Sequence, residues 1–165
     1  MSEFNNRDVL RAILKSDTNR LHEHFEAGLS PSLTTENESW NLLHQATILA
    51  GRKTPIASLG LLISNGVDVN ALDAYGNTPL HYAARNRDCE AISCLLDAGA
   101  EPNVLNNEGI SPLHQSVLTM PLQLEATELL LEAGASPGLG TAISYAQSLG
   151  DPDVNKLFAK YASQA

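Results

Sequence analysis

Apolar residues along this chain come in short bursts with helical spacing, each closed by a glycine. Ala91, Ile92, Leu95 and Leu96 stand three and four apart, which places them on one face of a helix, and Gly99 sits where a left-handed residue would end it. Leu61-Leu62 before Gly66 and Leu130-Leu131 before Gly134 repeat that arrangement, while Val9-Leu10 and the Leu21 and Phe25 face lead to Gly28. A second kind of burst opens behind a hydroxyl. Thr78 and Ser111 can accept a hydrogen bond from free N–H groups at a helix start, and the following Pro79 and Pro112 suit a first helical position that needs no N–H. The pattern therefore predicts helices in pairs, joined by turn-forming runs such as Glu101-Pro-Asn and Asn106-Asn-Glu-Gly. With about ten residues each, such helices are unstable alone and must bury one another's apolar faces.

The pairs recur with a nearly fixed period. Gly76-Asn-Thr-Pro-Leu-His-Tyr-Ala-Ala84 returns 33 residues later as Gly109-Ile-Ser-Pro-Leu-His-Gln-Ser-Val117, and Ser39-Trp-Asn-Leu-Leu-His-Gln-Ala-Thr47 is a looser earlier copy. His44, His81 and His114 mark one slot at spacings of 37 and 33, and Gly66, Gly99 and Gly134 mark another at 33 and 35. Two unrelated markers moving in step define a repeat, and the small differences in spacing predict loop insertions.

The residues Thr-Pro-Leu-His-Tyr-Ala-Ala (78–84) followed by Leu-Leu-Asp-Ala-Gly-Ala-Glu-Pro-Asn (95–103) resemble ankyrin repeats. Weaker matches extend over nearly the whole chain. The resemblance implies a mostly α-helical solenoid of helix-turn-helix units linked by β-hairpin-like turns, one domain over 1–165 with five units: a cap at 5–35, repeats at 36–72, 73–105 and 106–138, and a C-terminal cap at 139–165. Cap-like units at both ends predict a complete protein that is monomeric when free. Asn41-Leu42 stands where Thr-Pro is usual, and extra residues fall around 50–55 and 119–122. The resemblance places both insertions between the first and second helices of their units, away from the hairpin tips.

Charge narrows the function. The chain has 165 residues and a formal net charge of -9, with no Lys or Arg between Arg87 and Lys156 against ten acids from Asp88 to Asp153. An acidic balance opposes sequence-independent binding to phosphates, so nucleic acid is not an expected partner. The acidic segment reads either as a surface that steers a basic partner or as a solvated helix face. The start, Met-Ser-Glu-Phe-Asn-Asn-Arg-Asp, lacks the basic stub and apolar core of a secretory signal, and no apolar run reaches membrane-spanning length. A cytoplasmic protein with reduced thiols is expected, because Cys89 and Cys94 are too few and too local for a disulfide scaffold.

Candidate chemistry is sparse. One histidine per repeat puts adjacent copies about 10 Å apart in a helical stack, too far to share a metal. The resemblance gives these histidines the task of tying helix starts to hairpins. His22 and His24 point to different faces of one helix, and Cys94 has no base near it in sequence. No catalytic residue, metal or cofactor is therefore expected, and a Cys- or His-dependent enzyme is only a distant alternative.

A binding surface is left. In ankyrin-like proteins, partner contacts lie on the concave side, on hairpin tips and exposed parts of first helices. The resemblance carries those slots to Asn37, Glu38, Trp40, Ile48 and Leu49, then to Ala74, Tyr75, Asn77, Arg85 and Asn86, and finally to Asn107, Glu108, Ile110, Leu118 and Thr119. Aromatic and aliphatic residues in such slots are typical interface anchors. Trp40 is the first candidate, with packing against the neighbouring hairpin or inserted loop as its other role; burial under the insertions is the counterpart for Ile48, Leu49 and Leu118. The expected function is protein–protein interaction, as an adaptor or inhibitor, with an immunity-type inhibitor using the acidic C-terminal half against a basic partner as the alternative.

Overall fold

A computed structural model describes residues 6–48, 53–118 and 124–162. Among the described residues there are ten helices, in pairs along the chain, and no strand. They are α1 (Asn6–Leu14), α2 (Thr18–Glu26), α3 (Leu42–Thr47), α4 (Ile56–Ser64), α5 (Pro79–Asn86), α6 (Cys89–Asp97), α7 (Pro112–Leu118), α8 (Leu124–Glu132), α9 (Ala142–Ser148) and α10 (Pro152–Ala162). The first helix of each pair packs on the first helices beside it, α1 on α3, α3 on α5, α5 on α7 and α7 on α9. The second helices form a parallel row, α2 to α4, α6, α8 and α10. Two layers of helix result, with an ankyrin-type solenoid as the architecture. Of the inserted stretches around 50–55 and 119–122, residues 50–52 and 119–122 lie outside the described residues, as do the candidate slots Leu49 and Thr119.

The apolar bursts are the core. Leu43, Leu80 and Leu113 of the first-helix row and Leu62, Leu95 and Leu130 of the second are fully buried, and each such side chain contributes roughly 1.5–3 kcal/mol of transfer free energy. Several helix starts are capped by the short polar residue that precedes them, Asp17 before α2, Asn41 before α3 and Asp88 before α6 among them. Asn41 replaces the expected Thr-Pro without loss: its Oδ1 accepts from the N–H groups of Leu43 and His44, both at 3.0 Å, and its Nδ2 donates to the Asp68 carbonyl at 2.7 Å. Ser111 Oγ accepts from the His114 N–H at 3.2 Å, as the sequence predicts. Thr78 differs. Its hydroxyl lies 2.9 Å from His81 Nδ1, which also accepts from the Thr78 N–H at 3.0 Å, so the ring closes this helix start.

Three ladders tie unit to unit. In the first, His44 Nε2 reaches the Asn77 carbonyl at 3.0 Å and His81 Nε2 the Ile110 carbonyl at 3.1 Å. A carbonyl can only accept, so both rings carry a proton at Nε2 and donate it. Burial pushes His44 below the ordinary histidine range and His81 down to about 4. In the second, Asn70 and Asn103 bridge to loops 29 to 33 residues away, each donating through Nδ2 to a glycine carbonyl, Gly99 at 3.0 Å and Gly134 at 2.9 Å, and accepting one N–H. In the third, backbone bonds join hairpin tips: the Ala74 N–H donates to the Glu38 carbonyl at 2.8 Å and the Asn107 N–H to the Tyr75 carbonyl at 3.0 Å.

The histidine ladder stops at His114. Its Nδ1 lies 3.0 Å from Thr141 Oγ1, and its buried Nε2 finds no partner among the described residues. The residue in the slot of Asn77 and Ile110 is Gly140, whose backbone turns left-handed at φ 63°. A Cβ there would stand 2.6 Å from the Gly109 carbonyl oxygen. Gly140→Ala is therefore expected to lower stability by about 2 kcal/mol, from the left-handed strain and the backbone clash together. Urea unfolding measures it, and a loss below about 0.5 kcal/mol would contradict this account.

Candidate binding face

Hairpin tips and first helices share one face of the stack, and an acidic hub holds that face in shape. Asp73 is 6% exposed. Its Oδ1 accepts from the N–H groups of Tyr75 at 2.9 Å and Asn77 at 2.8 Å, which folds the 73–77 hairpin. Its Oδ2 accepts from the Tyr82 hydroxyl at 2.6 Å and from the Trp40 indole N–H at 3.2 Å, which fastens the preceding unit to this one. Burial by itself raises the Asp73 carboxyl, and the hydrogen bonds from Tyr82, Asn77, Tyr75 and Trp40 outweigh it, so the group is held below the usual carboxylate range. Burial and the bond to Asp73 push the Tyr82 hydroxyl up to about 12. Asn106 repeats the hairpin half of this device, accepting from the Glu108 and Ile110 N–H groups at 3.0 and 2.9 Å, and its Nδ2 donates to Asn77 Oδ1 at 2.9 Å.

Trp40 takes the packing role of its two candidates and keeps part of its ring open. The indole stands edge-on to Tyr82, with centroids 6.3 Å apart, and is bonded to the neighbouring hairpin, yet it is only half-buried. Beside it a cavity of about 350 Å³ gathers Trp40, Ile48, Tyr75, Asn77, Arg85, Asn107 and Glu108, all of them among the expected contact slots. Tyr75 is 59% exposed, and Arg85 lies over the Tyr82 ring, 4.8 Å from its centroid. Asn37 and Ala74 are exposed and Glu38 half-buried at the tips. Asn86 is engaged elsewhere, donating to the Thr47 carbonyl at 2.7 Å, and Ile110 and Leu118 are half-buried outside the cavity.

Sequence reasoning missed Asp73, Tyr82, Asn106 and Gln115, which line or support this cavity. A usable signal existed for two of them, since Asp73 and Asn106 occupy the same slot 33 residues apart.

Other candidate groups sit away from this face. Burial pushes both thiols, Cys89 and Cys94, above their ordinary range, away from the nucleophilic thiolate. His22 lies 3.3 Å from Glu26 and His24 3.3 Å from Asp8, so the two rings turn to different partners. Among the described residues no group of three or more His, Cys, Asp or Glu is placed to hold a metal, and no helix is long and apolar enough to cross a membrane. A family model described as ankyrin repeats (3 copies) matches residues 1–106 and again residues 43–141. No curated protein matches the chain.

Proposed function

The chain belongs to the ankyrin-repeat family, whose repeats are generally protein–protein interaction modules, and from that footing we propose that it binds a partner protein through its hairpin tips and first helices, as an adaptor or inhibitor without catalysis of its own. The observation that carries this is the aromatic cavity around Trp40 and Tyr75. An exposed tyrosine beside a half-buried tryptophan, with Asn107 and Glu108 alongside, has the composition of an interface anchor: apolar area with polar groups at its edge. The hub at Asp73 holds the Trp40 indole and the Tyr75 backbone before any partner arrives, which reduces the ordering cost of association.

A second reading has its own observation. Glu90, Asp97, Glu101, Glu108, Glu125, Glu132 and Asp153 are all exposed, so the acidic segment could instead cover a basic partner, in the manner of an immunity-type inhibitor.

One experiment separates the two. Full-length chain and its Tyr75→Ala variant, each checked by thermal melting, are used to capture partners from the native source at low and high salt. Tyr75 is chosen because its exposed ring leaves the fold unchanged on truncation. The first reading predicts at least a tenfold loss of the retained partner in the variant, a size common for interface tyrosines. Equal retention by both chains, weakened by salt, would replace it with the second.

A further inference from the structure

On the α1 side of Trp40 lies another depression, of about 300 Å³, which shares Trp40 and Ile48 with the aromatic cavity but differs in character. Leu10 and Leu14 of α1 supply its apolar wall, and Gln45 of α3 also lines it. Gln45 is 7% exposed, and its Nε2 is buried without a hydrogen-bond partner among the described residues. That is unusual twice over. Buried side-chain polar groups in folded proteins are nearly always paired, and the buried amides Asn41 and Asn106 each have partners at both oxygen and nitrogen. The terminal torsion of a glutamine is broad and two-fold, so this amide offers the slot either a donor or an acceptor at little cost.

We propose that this slot takes one aliphatic side chain from an extended segment of a partner protein, whose main chain hydrogen-bonds the Gln45 amide. The assignment rests on the interaction reading above and specifies its chemistry. Size sets the first limit, because about 300 Å³ lies at the lower end of pockets that hold a whole small molecule and suits a single leucine-like side chain with its flanking peptide. A single unpaired amide among apolar walls sets the second: it matches a ligand with one polar group next to one apolar group, which is what an extended peptide presents at every aliphatic residue. Charge sets the third. Glu38 also lines the slot, so a complementary segment carries a base beside its aliphatic residue.

N-acetyl-leucine N′-methylamide, an aliphatic side chain between two peptide carbonyls, tests the slot without any partner. Titrated into the isotopically labelled full chain at millimolar concentration, it is expected to shift the Gln45 side-chain NH2 resonances and the Leu10, Leu14 and Ile48 methyls together and saturably. N-acetyl-glycine N′-methylamide should leave them still. Gln45→Leu, which keeps the slot apolar and folded, should weaken the leucine probe about fivefold, the size of one hydrogen bond. Equal shifts with the glycine compound, or undiminished affinity in Gln45→Leu, would overturn the proposal. So would shifts that grow with protein concentration alone, which would make a second copy the occupant through an exposed side chain such as Leu72 or Leu105. Because the probe needs no partner, its failure leaves the Tyr75 capture result standing, and failure of that capture leaves the probe result standing.

Discussion

Replacing Asp73 with alanine is expected to lower the stability of the stack by about 3 kcal/mol and its melting midpoint by roughly 6–12 °C. The carboxylate accepts four hydrogen bonds, and its loss strands the Tyr82 hydroxyl and the Trp40 indole N–H in a largely dry site. Each donor left without a partner costs on the order of 1–3 kcal/mol, less where water can reach it. Asparagine is the informative control. Asp73→Asn would keep the Oδ1 acceptor for the Tyr75 and Asn77 N–H groups, as Asn106 does in the next unit, but would set an NH2 against the indole N–H. Its cost is expected to be about 1 kcal/mol. Calorimetry of the three chains gives the order wild type, Asp73→Asn, Asp73→Ala; equal melting of the last two would mean that Trp40 and Tyr82 draw nothing from the carboxylate. The alanine variant should also lose partner affinity, since it frees the ring that borders both cavities.

Acid should weaken the fold through its buried histidines. His81 in the folded chain titrates near 4, whereas an unfolded histidine titrates near 6.5. As pH falls below 6.5 the unfolded chain takes up a proton that the folded ring refuses. Stability is therefore complete above 6.5, declines steadily through the interval, and loses nothing more from this group below about 4. The whole loss is about 3 kcal/mol from His81 alone, and His44 and His114, both lowered by burial, act in the same direction. Carboxylates begin to titrate only near the bottom of this window, so the slope between pH 6.5 and 5 belongs to histidine. Urea midpoints at pH 7.5, 6, 5 and 4.5 should fall at each step with the m-value constant, and His81→Asn should flatten the curve. A wild-type midpoint that holds steady down to pH 4.5 would refute the account.

The repeat was legible because it is written twice in each of the three central units, once at the histidine and once at the glycine. Local rules then sufficed for most helix starts: Ser111 caps as expected, and Asn41 caps although it breaks the motif. Thr78 escaped those rules because its partner is a ring three residues on. The exposed members of the site, Tyr75, Asn107 and Glu108, were legible from their slots alone. The hub was not, since the bond from Trp40 to Asp73 spans 33 residues and depends on how one unit seats on the next. The slot beside Trp40 was hidden for a related reason: Arg7, Leu10 and Leu14 of its lining belong to α1, in the cap, where the motif has decayed, and Gln45, although it follows His44 in the motif, shows its unpaired amide only once α1 is seated against it.

The unpaired Nε2 of His114 bears on how the molecule comes apart. A linear array holds together by the free energy of each junction, and junctions of equal strength let it melt as one body. Among the described residues, the junction after α7 and α8 keeps the contact of His114 with Thr141 but lacks the carbonyl rung that the two junctions before it have, so α9 and α10 are expected to open at a lower free energy than the pairs that carry the rung. The end of the array is then expected to breathe while the pairs from α3 to α8, which the rungs join, stay closed, and Trp40 and Tyr75 sit within the part that does not open.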